Sequence, residues 1–173
     1  MTALFERLLG GAFETLPACV RRLHRAAGTH RYRGEVEVVR GHHPLARLCA
    51  WATRLPPEGQ VPIEVAIAAD ADGEYWSRHV GGHVMPSHLR ERGGLLHERL
   101  GLATFVFRLS AREGGLEWSV VQARALGVPL PARWFAGVAA RESEADGRYC
   151  FDVRAALPLA GLLVHYRGWL DVG

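Results

Sequence analysis

Beyond Pro56 the chain alternates between apolar and polar residues with a period of two. Residues two apart share one face of a β-strand, so this alternation predicts strands that are buried on one side. Turn sequences at residues 70–73, 113–115 and 145–147 separate neighbouring strands. We predict strands at residues 32–40, 61–69, 74–80, 83–90, 95–100, 102–112, 115–125, 135–143, 147–157 and 160–170.

Before Pro56 the apolar spacing is mainly helical. Residues 3–26 predict two short helices, the second of which starts near Thr15 and Pro17. A third helix is predicted over residues 44–55, because Pro44 suits a first helical turn and two prolines at 56–57 end the pattern.

The order of these elements predicts a mainly β fold with N-terminal helices. Consecutive strands joined by short turns pair antiparallel, and about 8–10 of them tend to curl and close. We therefore expect an antiparallel up-and-down barrel, or a strongly curved and nearly closed sheet, with helices capping one end. The chain reads as a single domain over residues 1–173, with a helical lid at 1–27 and a barrel at 32–173.

Several predicted strands carry polar residues on the face that also holds their large apolar residues. In one of them Glu74 and Arg78 share a face with Trp76 and Val80. An unpaired charge is expensive inside a core, so these residues either pair with one another or line a cavity. The candidate site residues are Trp76, Arg78, Glu98, Trp118, Gln122, Glu142 and Tyr166, joined by Arg40 and Arg124 if their strands extend far enough.

Three interpretations of this interior set remain open. It is a structural network of ion pairs, a polar patch that orients a ligand in an apolar pocket, or a paired-carboxylate acid/base couple formed by Glu98 and Glu142. A β-bulge would reverse every later facing assignment on its strand.

Composition excludes several classes of protein. The hydrophobic fraction is 49%, the charged fraction 23% and the net charge +3, and all 21 basic residues are arginine. Arginines are interspersed with acidic residues, so we predict no nucleic-acid partner. No stretch reaches about 18 apolar residues, so we predict no membrane span. Three widely spaced cysteines and a start that does not resemble a secretory signal favour a cytoplasmic location.

Sequence motifs for a metal, a cofactor or a nucleophile are absent. His79, His83, His88 and His97 have no recognised metal-ligand spacing, and there is no G-x-G-x-x-G, P-loop or G-x-S-x-G sequence. We therefore predict no metal and no cofactor.

The chain resembles a bacterial domain of unknown function that occurs alone or fused C-terminal to saccharopine-dehydrogenase-like reductase domains. The resemblance covers nearly the whole chain. It rests on Trp76-Ser-Arg78, Glu98-Arg-Leu-Gly101, Gly115-Leu-Glu-Trp118, Leu126-Gly-Val-Pro-Leu-Pro131, Gly147-Arg148 with Phe151, and the segment from Leu162 to Leu170. The fusion habit implies a reductase domain as a partner, but the resemblance implies no established activity.

These observations favour non-catalytic binding of a small, largely apolar molecule with a polar headgroup inside the barrel. One alternative is an isomerase or hydrolase that uses Glu98 or Glu142. Another is an interaction module that docks a reductase. An internal cavity favours binding, and a packed interior with an exposed apolar patch favours docking.

Overall fold

The computed structural model describes residues 2–173 and shows an antiparallel β-barrel with two helices over one end and a third helix at the other. This confirms the predicted mainly β fold and the closed alternative over the open one. The strands are β1 (Gly28–Arg40), β2 (Gly59–Ala69), β3 (Glu74–Val80), β4 (His83–Arg92), β5 (Leu95–Leu100), β6 (Ala103–Arg112), β7 (Gly115–Ala125), β8 (Val128–Leu130), β9 (Gly137–Ala145), β10 (Arg148–Leu157) and β11 (Gly161–Asp171).

Ten of the eleven strands close the barrel. Their order around it is β1 to β7, then β9, β10 and β11, and the first and last strands pair through Arg33 opposite Asp171 to Arg40 opposite Val164. Closure removes the exposed sheet edges that an open sheet would present. The eleventh strand, β8, pairs only with the end of β7 and lies between the predicted strands 115–125 and 135–143, where no strand was predicted.

Three α-helices all precede Pro56, as predicted. They are α1 (Leu4–Leu9), α2 (Ala18–Arg25) and α3 (Pro44–Ala52), so the third ends three residues before its predicted limit of 55. The second starts three residues after Thr15, whose hydroxyl instead donates to the carbonyl of Ala12 within a 3-10 turn.

The helices α1 and α2 form a lid over one end of the barrel, which we call the lid end. Phe5, Phe13 and Val20 are fully buried and belong to the same apolar core as the inward face of the strands. Two short helices would be unstable alone, so burial against the barrel is what holds them. The Glu144 carboxylate accepts from the backbone N–H of Cys19 at 2.8 Å, which fastens the start of α2 to the β9–β10 turn.

We call the opposite end of the barrel the mouth end, and the up-and-down topology shows which connections lie there. Every second connection lies there, and these connections comprise residues 40–58, 80–83, 99–104, 123–137 and 154–162. Leu102 donates its backbone N–H to the carbonyl of Ala52 at the end of α3. Gly101 has a positive φ of 57°, and a Cβ there would lie 2.5 Å from that same carbonyl oxygen, so this close approach requires glycine.

Candidate functional site

The barrel encloses a cavity of about 110 Å³ whose wall is mostly apolar. Apolar side chains from most strands supply this wall, among them Val65 and Met85 on one side and Phe107 and Phe151 on the other. Six of the seven predicted site residues line it: Trp76, Arg78, Glu98, Trp118, Glu142 and Tyr166. The barrel therefore brings together side chains from five strands, β3, β5, β7, β9 and β11.

Gln122 does not line the cavity, because a β-bulge interrupts its strand. Val106 pairs with Gln122, whereas the next residue, Phe107, pairs with Val120, so β7 carries one extra residue at this point. The bulge reverses the facing beyond it, and Ala123 is buried in place of Gln122. The expected inward facing of Gln122 is thus corrected.

The two conditional arginines also lie outside the cavity. Arg124, beyond the same bulge, is exposed. Arg40 is half-buried at the mouth end, where its Nη1 donates to the carbonyls of Leu55 and Pro56 at 3.3 and 2.6 Å.

Arg78 is held in the cavity wall by three neighbours. Its Nη2 lies 3.2 Å from Glu98 Oε1, and its Nη1 donates to Ser87 Oγ at 2.8 Å. The guanidinium carbon also lies 4.9 Å from the ring centre of Trp76, a cation–π distance. Only 12% and 10% of the Arg78 and Glu98 side chains are exposed. The pair therefore satisfies two inward charges while it leaves part of a guanidinium fork facing the cavity.

Glu142 pairs with a residue that the sequence pattern did not identify. His24 Nε2, on α2, lies 2.6 Å from Glu142 Oε2, and both side chains are buried. The ring of His24 also packs on Phe5, with centroids 3.7 Å apart. The sequence did contain a sign that His24 is buried, because His24 follows Val20 at i+4 and so lies on the apolar face of its helix.

A third carboxylate, Glu74, is buried at the lid end, and no cationic side chain among residues 2–173 contacts it directly. It accepts from Trp76 Nε1 at 2.7 Å. Burial raises the pKa of Glu74, although the nearby His24 and the Trp76 hydrogen bond oppose that shift. The barrel therefore favours the protonated form of this carboxyl.

Two tyrosines in the wall remain protonated at physiological pH. Burial raises the pKa of Tyr166 to about 12. Burial also raises the pKa of Tyr149 well above its ordinary value, and the negative charge of Glu142 adds to the shift. Both phenols therefore keep their O–H donors at neutral pH.

Trp118 contributes a donor that no protein group satisfies. Its Nε1 is buried and has no hydrogen-bond partner among the described residues. An indole nitrogen can only donate, and a buried donor without an acceptor costs free energy. The Trp118 side chain lines the cavity, but Nε1 itself is buried within the wall, so a ligand in the cavity would reach it only after a shift of the ring.

The cavity opens toward the mouth end. Inward residues near the lid, such as Leu89, Leu96 and Leu116, are fully buried. Inward residues closer to the mouth, such as Val138 and Val153, are half-buried. Other inward residues at the mouth end, such as Val80 and Val164, are buried, so the cavity is exposed mainly beside β9 and β10.

Comparison with known proteins gives a family. The family model described as a domain of unknown function, DUF4166, matches residues 16–170. The match begins after α1 and covers every strand up to the penultimate residue of β11. No curated protein matches the chain. Among residues 2–173, no helix is long and apolar enough to cross a membrane.

Proposed function

We propose that this chain, which belongs to the DUF4166 family, binds a small and largely apolar molecule with a polar headgroup in its barrel interior. The observation that carries the proposal is an apolar cavity whose wall also carries a few polar side chains, among them Arg78 and Tyr166. Ligand sites in proteins commonly combine apolar walls with a few converging polar groups.

The donors define the headgroup. Arg78 and Tyr166 line the cavity and carry N–H and O–H donors, so the ligand supplies an acceptor oxygen. The Arg78 charge is already matched by Glu98, and a second carboxylate, Glu142, also lines the wall. A carbonyl or hydroxyl therefore suits the site better than an additional carboxylate.

The volume of the cavity limits the size of the ligand group that it can enclose. A cavity of about 150 Å³ holds one benzene molecule, whereas drug-sized ligands need about 300 Å³ or more. The enclosed space of about 110 Å³ therefore takes a group of roughly four heavy atoms. A longer ligand would place only its end inside and leave the remainder in the mouth.

The test uses native mass spectrometry of protein purified from its own host. Ala140 lines the cavity and Ala139, its neighbour on β9, faces solvent. Ala140→Leu should fill the space and abolish any retained small molecule, while the matched Ala139→Leu should keep it.

A second measurement does not need the natural ligand. 2-Butanone should raise the melting temperature more than 2-methylbutane, which has a similar shape, because only the ketone offers an acceptor oxygen, and Ala140→Leu should remove the difference. Equal effects of the two compounds, or an unchanged response in Ala140→Leu, would exclude this site.

Acid/base catalysis is the second candidate, and the His24–Glu142 contact favours it. A carboxylate paired with a histidine at a cavity wall is a recurrent arrangement for proton transfer. Glu98 fits this role less well, because Arg78 holds it in an ion pair. A Glu142→Gln variant that binds its ligand yet leaves it unconverted, where the native protein converts it, would support catalysis.

Location and protein partners belong to the same proposal. All three cysteines are free, which supports a reducing compartment such as the cytoplasm. A reductase partner is supported only by the resemblance to domains fused to such enzymes, and co-purification with a reductase would test it.

A further inference from the structure

We propose that the mouth end of the barrel docks onto the surface of an anionic lipid bilayer. This surface does not depend on the cavity having a ligand. The proposal rests on two independent features of the mouth end, its exposed apolar side chains and its unpaired arginines.

Exposed apolar side chains concentrate at the mouth end. Of the eleven large hydrophobic residues that are exposed among the described ones, eight lie on its five connecting segments. Trp51 is 72% exposed, Leu126 76% and Leu159 82%. Single exposed apolar residues need no explanation, but such a concentration marks an interaction site.

Several of these residues lie on neighbouring segments of the mouth end, and we call this group the collar. Leu102 donates its backbone N–H to Ala52, next to Trp51, and Leu126 donates its own to the carbonyl of Leu102. Trp51, Leu102 and Arg54 also line a common surface depression. The collar consists of Leu48, Trp51, Leu102, Leu126, Val128 and Trp134.

The charges of the two ends differ. The five mouth-end segments contain seven arginines and one acidic residue, Glu58. At the lid end, the turns at residues 70–73, 90–94, 112–114 and 144–148 contain four arginines and six acidic residues. A net charge of only +3 thus conceals a basic mouth end.

Most mouth-end arginines are free to bind anions. Six of them are exposed, and within residues 2–173 none of the six is in an ion pair. By contrast, Arg7 and Arg21 at the lid end pair with Glu91 and Glu14. The six exposed arginines are Arg47, Arg54, Arg99, Arg124, Arg133 and Arg154.

This combination fits an anionic bilayer better than another polyanion. Tryptophan and leucine side chains insert at the boundary between headgroups and acyl chains, and arginines beside them bind anionic headgroups. A nucleic acid would use the arginines but has no apolar layer that would bury Leu48, Leu102 and Leu126.

The experiment measures co-sedimentation of the full chain with phosphatidylcholine vesicles that contain or lack phosphatidylglycerol. We expect binding to the anionic vesicles that weakens as salt is raised, and much weaker binding to neutral ones. Arg124→Gln with Arg133→Gln should lower the affinity roughly 30-fold. The matched lid-end control, Arg92→Gln with Arg112→Gln, removes the same charge and should bind like the native protein.

The apolar contribution is tested separately. Trp51→Ala with Leu126→Ala should lower the affinity at least about tenfold, because each side chain inserts into the lipid. Tyr75→Ala, which removes an exposed aromatic residue from β3, should have no effect. All of these positions are exposed, and circular dichroism with melting temperatures checks that each variant is folded.

Three results would overturn the proposal. The first is absence of binding to anionic vesicles at low salt, and the second is equal loss of binding in the control variants. The third is binding to poly-glutamate through the same arginines with none to vesicles, which would make the mouth end a docking surface for an acidic protein.

Discussion

His24 Nε2, on the lid helix α2, lies 2.6 Å from Glu142 Oε2, on the inward face of the barrel strand β9. The contact joins two groups 118 residues apart in the chain and places both in a buried environment. It is the most direct polar link between the lid and the barrel wall, and its loss would leave an uncompensated polar group inside the core.

We predict that His24→Ala destabilises the fold by about 3–5 kcal/mol, because Glu142 would lose its partner while it remained buried. Denaturant unfolding measures this. The control is His165→Ala, which removes a similar contact to Asp152 at 3.0 Å, but on the barrel exterior. That change should cost less than about 1 kcal/mol. Equal losses in the two variants would mean that burial of the first pair has no energetic importance.

The second prediction concerns the ion pair between Arg78 and Glu98. Arg78→Ala should cost about 3 kcal/mol, since it leaves Glu98 nearly buried and unpaired. Arg78→Met combined with Glu98→Leu should recover much of that loss, because an apolar pair of similar size needs no partner.

A double-mutant cycle on unfolding free energies separates these effects. Arg141→Ala, at an exposed pair with Glu117, should cost much less than Arg78→Ala. If the double variant were as unstable as Arg78→Ala alone, the loss would come from packing and not from the charge.

The third prediction concerns the lid. Removal of residues 1–26 should expose the apolar lid end, because Phe5, Phe13 and Val20 are completely buried there. The truncated chain should be less stable and should bind a hydrophobic dye such as anilinonaphthalene sulfonate. As a control, Leu159→Ala at the mouth end should change neither property. A truncated chain with native stability and no dye binding would show that the lid is dispensable.

The fourth prediction concerns pH. Burial raises the pKa of Glu74, so the folded state holds the proton more tightly than the unfolded chain does. The stability that this carboxyl contributes is therefore full below its ordinary pKa of 4.5 and is lost as pH rises through the higher folded value. Glu74→Gln keeps an acceptor for Trp76 Nε1 but does not ionise.

Unfolding free energies measured from acidic to neutral pH check this. The stability of Glu74→Gln relative to the native protein should increase as pH rises. Glu37→Gln, at an exposed position on β1, is a control that should lack this rise. A difference that does not change with pH would contradict the raised pKa.

Local pattern was sufficient for most of the fold and for much of the cavity wall. Each strand shows its period of two within about ten residues, so Trp76, Arg78 and Glu98 could be assigned to the interior without knowledge of the partner strands. Gln122 was misassigned because a bulge is invisible to periodicity. It arises where β6 and β7 must stay paired while one strand carries an extra residue.

The sequence by itself determined which residues form strands, which face of most strands is apolar, and that polar groups share that face. Side-chain alternation and turn residues act over a few positions, so they can be read locally. The tertiary structure decided which charges meet. Arg78 on β3 pairs with Glu98 on β5 because both strands pair with β4, which lies between them. Glu142 contacts His24 because helix α2 packs on the lid end. The same closure separates a lid end of mixed charge from a mouth end with unpaired arginines, since strand direction assigns every second turn to the same side.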